Sequence, residues 1–176
     1  MSLTGFRSSN HPQQVAKRGA TDRDDLGTDP AFFAELDARF GFTLDAAASP
    51  ATAKCGRFFT SEDNGLERSW TGERVWCNPP YSNIAPWIRK AWDEDGAPLI
   101  VMLLPANRTE QGWWQDEVEP DRDCNGGGLL RTEFIRGRKR FVKPGAEAIG
   151  PNERPPFGCV LLIWRREYPQ TNGGGK

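Results

Sequence analysis

The chain has 176 residues, 37% of them hydrophobic and 27% charged, the size and balance of one globular domain with a wet surface. Its net charge of −1 excludes a global field that draws polyanions, so a nucleic-acid partner must meet a local basic patch. Four cysteines without a C-x-x-C pair and a lone histidine, His11, argue against a zinc site, and no apolar run is long enough to span a membrane.

Residues 1–27 are polar, charged and aperiodic, and are expected to form a flexible arm. The folded domain is expected over residues 28–168, ahead of a Gly-rich, frayed tail at 169–176. Thr28 or Asp29 is suited to cap a helix, and Pro30 suits its first turn. Phe32, Phe33, Leu36 and Phe40 then share one helical face, and Gly41 ends the helix. Phe42-Thr43-Leu44 reads as a short buried strand ending at Asp45, followed by the small residues Ala46-Ala47-Ala48-Ser49. Arg57-Phe58-Phe59-Thr60 suggests a second strand, and Asp63-Asn64-Gly65 signals a turn.

Residues 74–77 read as the strand that feeds Asn78. A helix is expected over residues 84–94, apolar on one side through Ile84, Trp87, Ile88, Ala91 and Trp92, and stopped by Gly96. The unbroken apolar run 99–104 has the pattern of a central parallel strand. A short helix over 110–118, a Gly-rich loop over 121–128, late strands at 133–135 and 140–142, and a final buried strand at 159–164 complete the chain. Strand–helix alternation predicts an α/β sheet covered on both faces. No helix separates the late strands, so that edge is expected to be antiparallel.

The chemistry concentrates at Asn78-Pro79-Pro80-Tyr81, a proline-stiffened loop between a strand and a helix. An exocyclic aromatic amine is a poor nucleophile, because its lone pair is delocalised into the ring. The Asn78 side-chain oxygen and the Pro79 carbonyl could accept its hydrogens and return density to nitrogen. Pro80 would hold those acceptors in place, and Tyr81 would offer a stacking face. A base inside a duplex cannot reach such a loop without being flipped out. The same four residues also fit a plain proline-rich turn with a packed tyrosine.

A second cluster is basic: Arg136, Arg138, Lys139, Arg140 and Lys143, interrupted by Gly137 and followed by Phe141. It could neutralise several backbone phosphates; a solvated charged turn accounts for the charges equally well. Arg108 and Thr109, just past the apolar run, are expected on the same rim as Asn78. Trp113-Trp114 fits packing better than recognition. Cys77 is expected to point into the core, and no Ser/His or Cys/His pairing suggests a covalent nucleophile.

Cys77-Asn78-Pro79-Pro80-Tyr81 resembles the catalytic motif of amino-methyltransferases acting on DNA. An ordered set resembles, more closely, the phage-type DNA N6-adenine methyltransferase (Dam) family. It runs through residues 42–48, Cys55, Phe59-Thr60, Asp63 to Leu66, Trp70, Met102-Leu103-Leu104-Pro105, Thr109, Trp113-Trp114, residues 134–138 and Phe141. The similarity covers roughly residues 28–165. It implies a single-domain Rossmann-like methyltransferase fold, mostly parallel with an antiparallel edge, with S-adenosylmethionine across the carboxyl ends of the strands.

The resemblance further implies roles. Asn78, Pro79, Pro80 and Tyr81 would be catalytic; Thr28, Asp29, Asp45, Ala46, Asp63 and Asn78 would hold the cofactor. Arg108, Thr109, Arg136, Arg138, Lys139 and Arg140 would touch DNA. Helix capping explains Thr28, Asp29 and Asp45 without a ligand, and an ordinary turn explains Asp63. Many methyltransferases carry a Gly-rich loop where this chain has Ala46-Ala47-Ala48-Ser49. The expected activity is site-specific N6 methylation of adenine in double-stranded DNA, by a monomer or weak dimer in the cytoplasm of a bacterial host, without metal or membrane. Reduced thiols and the lack of a signal peptide agree with that compartment. The alternatives are a non-catalytic DNA-binding relic of the fold, or methylation of cytosine N4, RNA or a protein amine.

Overall fold

The computed structural model describes residues 27–124, 129–142 and 157–166. The N-terminal arm up to residue 26, the three consecutive glycines of the 121–128 loop, Lys143 and the C-terminal tail lie outside the described residues.

Helix α1 spans Pro30–Phe40. Asp29 caps it, its Oδ1 accepting from the N–H groups of Ala31 (2.8 Å) and Phe32 (3.2 Å). Gly41 closes it in the left-handed region (φ 62°), where an L side chain would be strained, and its N–H donates to the Asp37 carbonyl. Thr28 does not cap. It belongs instead to the two-residue strand β1 (Gly27–Thr28), antiparallel to β7 (Phe141–Val142). This small sheet is separate from the main one, so residues 141–142 do not lengthen the main sheet's edge as the late-strand pattern suggested.

Among the described residues the main sheet has six strands: β3 (Arg57–Phe58), β2 (Leu44–Asp45), β4 (Arg74–Cys77), β5 (Leu99–Pro105), β8 (Cys159–Arg165) and β6 (Leu130–Phe134), in that spatial order. The three pairings from β3 to β5 are parallel, and the two that join β8 to its neighbours are antiparallel. The expected antiparallel edge is present. The last strand, however, inserts between β5 and β6 rather than adding at the outside.

Period-2 alternation along β5 sorts the core. Ile100, Met102 and Leu104 face α2 (Ala85–Asp93) and α3 (Gly112–Glu117), packing with Trp87, Ile88, Trp113 and Trp114. Leu99, Val101 and Leu103 face α1, packing with Phe32, Phe33, Leu36 and Phe40. All seven β5 residues are buried, as a strand covered on both faces requires. Each fully buried aliphatic side chain here contributes about 1.5–3 kcal/mol of transfer free energy. Among the described residues no helix is long and apolar enough to cross a membrane. No group of three or more His, Cys, Asp or Glu among them is arranged to hold a metal.

Candidate active site

Parallel pairing makes the carboxyl ends of β2, β4 and β5 open at one edge. Asp45 lies opposite Trp76, and Cys77 opposite Met102. The antiparallel strands fix the rest of that edge: Cys159 of β8 faces Pro105, and Phe134, the last residue of β6, faces Val160. The residues following β2, β4, β5 and β6 therefore emerge on the same rim. These are Ala46, Asn78, Ala106 and Ile135.

Cys77 is fully buried among the α2-side core residues, as expected, and burial pushes its thiol well above the usual range. The chain then surfaces: Asn78 is half-buried and Pro79 buried. The Tyr81 hydroxyl donates to Asn78 Oδ1 across 3.0 Å. The Tyr81 ring meets Phe141 (6.2 Å, edge-on) and Phe157 (6.0 Å, tilted 65°), contacts that its sequence neighbours do not reveal. Burial raises its phenol well above the ordinary value, so the hydroxyl keeps its proton and remains a donor. Arg108 Nη1 donates to the Tyr81 carbonyl across 2.6 Å, which ties the loop after β5 to the Asn78 loop. Thr109, next to it, is half-buried and gives its carbonyl to Gln115 Nε2 (2.6 Å).

Asp45 is 2% exposed. No helix follows it, which removes helix capping as its explanation. Its carboxylate closes the loop beyond β2 instead, Oδ2 accepting from the Lys54 N–H (3.0 Å) and Oδ1, at a longer 3.4 Å, from the Ala47 N–H. Burial pushes Asp45 up to about 6, against the opposing pull of those two N–H groups and the Lys54 charge. Lys54, which no sequence pattern singled out, is itself lowered by burial against the raising charges of Asp45 and Asp29. Thr28 Oγ1 is buried and has no hydrogen-bond partner among the described residues.

Asp63 belongs to a turn, with Asn64 in the left-handed region (φ 52°). Its Oδ2 accepts from the Thr60 N–H (2.9 Å) and Thr60 Oγ1 (2.8 Å), bonds that hold the carboxyl below the usual range. Its Oδ1 has no partner among the described residues. Gly65 explains how this turn reaches the strand ends. A Cβ there would press into the Ala46 carbonyl oxygen, well inside contact distance, and would lie 3.3 Å from the Trp87 ring. Only a glycine lets the two backbones come this close. The Asn64-Gly65 pair was legible as a turn; the close approach of Gly65 to the Ala46 carbonyl was not.

The basic segment runs from the end of β6 to β7, whose Phe141 contacts Tyr81, so it arches over the rim toward the Asn78 loop. Arg136 and Arg138 are exposed and Arg140 half-exposed. Among the described residues none of the three makes a hydrogen bond or ion pair. Lys139 differs: its Nζ sits 4.3 Å from the Phe32 ring centroid, a cation–π contact with α1. Trp113 and Trp114 are buried in the core, confirming packing as their work.

A family model described as DNA N-6-adenine-methyltransferase (Dam) matches residues 16–172. The chain is 30% identical, over 188 aligned residues, to a protein of Escherichia phage T1 named DNA N-6-adenine-methyltransferase, covering 95% of this chain and 72% of that protein. A protein of the same name from Haemophilus phage HP1 (strain HP1c1) is 39% identical over 74 residues, 41% of this chain and 43% of that protein. A match spanning nearly the whole described fold, over the strands and loops that build this rim, makes the chain a member of the DNA N-6-adenine-methyltransferase (Dam) family.

Proposed function

We propose that this protein methylates N6 of adenine in double-stranded DNA, taking the methyl group from S-adenosylmethionine on a single-domain, Rossmann-like methyltransferase fold. The observation that carries the reading is the convergence of Asp45, Asp63, Asn78 and the 136–140 segment on one edge of the sheet. In open α/β sheets, ligands bind outside the carboxyl ends of the strands. The family membership and the names of the phage relatives support the choice of reaction.

The residues fit such a cofactor. A buried hydroxyl without a partner among the described residues, Thr28 Oγ1, and the solvent-accessible carboxylate of Asp63 border the strand ends. The hydroxyl is a buried group that a bound ligand would satisfy, and the carboxylate is an acceptor open to one. Asp29, Asp45 and Ala46 complete that side. Once bound, the sulfonium supplies an activated methyl group, and no enzyme-bound intermediate is needed.

The chain's own residues then orient and polarise the acceptor. Asn78 Oδ1 accepts from the Tyr81 hydroxyl, and a carbonyl oxygen can accept more than one hydrogen, which suits it to take an adenine N6 hydrogen as well. The Pro79 carbonyl takes the second hydrogen, held by the ring of Pro80. Tyr81 stacks on the extruded base, and Arg108, fixed to the Tyr81 carbonyl, borders the same pocket with Thr109. Arg136, Arg138, Lys139 and Arg140 meet backbone phosphates. The setting would be a bacterial host cytoplasm.

The test is tritiated methyl transfer from S-adenosylmethionine to DNA, RNA and protein, followed by nucleoside analysis. The expected product is N6-methyladenine in DNA. Label in cytosine, RNA or protein would change the substrate, and DNA binding without cofactor binding would mark a relic.

A further inference from the structure

Phe134 is the one large hydrophobic side chain exposed among the described residues, at 59%. It ends β6 at the rim that carries Asn78, facing Val160 of β8, which in turn faces Leu104 of β5. β4, which delivers Asn78, lies three strands away, about 14 Å at ordinary inter-strand spacing. That separation is close to the width of a major groove, about 12 Å. Its neighbours settle which way it faces. Ile135 packs into the α1-side core, while the Phe134 ring meets the tilted Trp114 ring, at 6.4 Å, on the other face.

The charge around it is complementary to a duplex. Arg136 and Arg138 follow immediately, exposed and without ion pairs among the described residues. The adjacent carboxylate, Glu133, is taken up by Arg39, with both oxygens accepting guanidinium N–H groups at 2.6 Å, so it presents little repulsion to phosphate. The carboxylates of Glu119 and Asp123 pair with Arg122, which bridges Leu130 at the opposite end of β6, and Glu119 also accepts from Trp114 Nε1 (2.7 Å).

Resting on the proposed function, the geometry points to Phe134 as the side chain that enters the base stack when the target adenine leaves it. Extruding a base opens a gap flanked by unstacked neighbours, and an apolar ring inserted there recovers part of the lost stacking. A ring held at one end of a rigid strand, with cations on its flank, meets that need. Asn78 and Phe134 then act on the same nucleotide from two sides, one receiving the base and the other keeping its place empty.

The test compares wild type, Phe134→Ala and Phe134→Leu on two duplexes, one with the target adenine paired to thymine and one with it opposite an abasic site. On the paired duplex, Phe134→Ala should lower kcat/KM by about tenfold or more, and Phe134→Leu by much less. On the abasic duplex, where unpairing is already done, Phe134→Ala should return to within about threefold of wild type. Equal losses on both duplexes, or none on either, would overturn the inference. A change in oligomeric mass of Phe134→Ala by light scattering, with activity falling in parallel, would do so too, by making the ring a contact between chains. Failure of the wild type to methylate either duplex is a separate result, which would overturn the proposed function itself.

Discussion

The Tyr81 hydroxyl and Asn78 Oδ1 form a 3.0 Å hydrogen bond inside the loop that would receive the substrate amine. Tyr81 is thereby a brace for the asparagine as well as a ring beside it. The bond restrains the Asn78 amide plane, which would hold Oδ1 toward an incoming amine. Removing only the hydroxyl, in Tyr81→Phe, should leave the ring's packing on Phe141 and Phe157 in place. A neutral hydrogen bond is worth about 0.5–1.5 kcal/mol, so kcat should fall roughly three- to tenfold, with KM for DNA little changed. Wild-type kcat in Tyr81→Phe would leave the ring as the residue's whole contribution.

Asn78→Ala removes the acceptor itself. Loss of one group aimed at charge that develops in the transition state costs about a hundredfold or more. Methyl transfer should drop by at least that factor, while titration calorimetry should find S-adenosylmethionine binding within a fewfold of wild type. Near-normal turnover by this variant would remove Asn78 from the chemistry.

Asp45 should leave a signature in the pH dependence of stability. Its folded-state value of about 6 lies above the ordinary 3.8 because burial disfavours the charged form. The folded protein therefore holds this proton more tightly than the unfolded chain does. Its contribution is fully present below about pH 4 and is lost as pH rises through 6. At pH 7.5 the charged group costs roughly 3 kcal/mol. Asp45→Asn keeps an oxygen for the Lys54 N–H and carries no charge. Its Tm should rise above wild type at pH 7.5 and match it near pH 4, while cofactor affinity falls. Parallel Tm profiles from pH 4 to 7.5 would show that the carboxylate is not being kept at a cost to stability.

How much of this was readable in the sequence follows from how local each feature is. Helix α1 was, because Asp29, Pro30, the Phe32–Phe33–Leu36–Phe40 face and Gly41 all act within a few residues of one another. So were β4 and β5, whose apolar runs suit a strand covered on both sides. The insertion of β8 between β5 and β6 was not, since strand order is decided by distant partners and a buried strand looks alike at any central position. The two-residue pairing of Gly27–Thr28 with Phe141–Val142 leaves no periodicity at all, which is why Thr28 read as a cap. At the site, the residue types at Asn78, Asp45 and Asp63 were visible. The Tyr81–Asn78 bond and the Gly65 approach to Ala46 depend on loop shape, which no pattern encodes.

Gly65→Ala tests that approach. The added methyl cannot coexist with the Ala46 carbonyl at its present position, so the Asp63 turn or the strand end must shift. Overpacking of this kind costs about 1–3 kcal/mol, and denaturant unfolding should read that loss. Cofactor affinity should weaken more than DNA affinity, because Asp45 and Asp63 lie on the two sides of the contact and the basic segment does not. A variant that is destabilised but binds both ligands normally would make Gly65 a packing residue only.

The basic segment is tested by salt rather than by affinity alone. Any mutation that disturbs the rim weakens binding, but only the loss of phosphate contacts changes how binding depends on ion concentration. Each neutralised phosphate adds about 0.9 to the slope of log K against log salt on duplex DNA. Arg138 and Arg140 make no ion pair among the described residues, so reversing them breaks no ion pair within that part of the fold. Arg138→Glu with Arg140→Glu should therefore leave the fold's Tm near wild type and flatten the slope by about two, read by fluorescence anisotropy between 50 and 200 mM salt. An affinity loss with the slope unchanged would mean that these arginines shape the loop without touching the phosphates. No change in either would assign them to solvent and move the DNA path to another face of the rim.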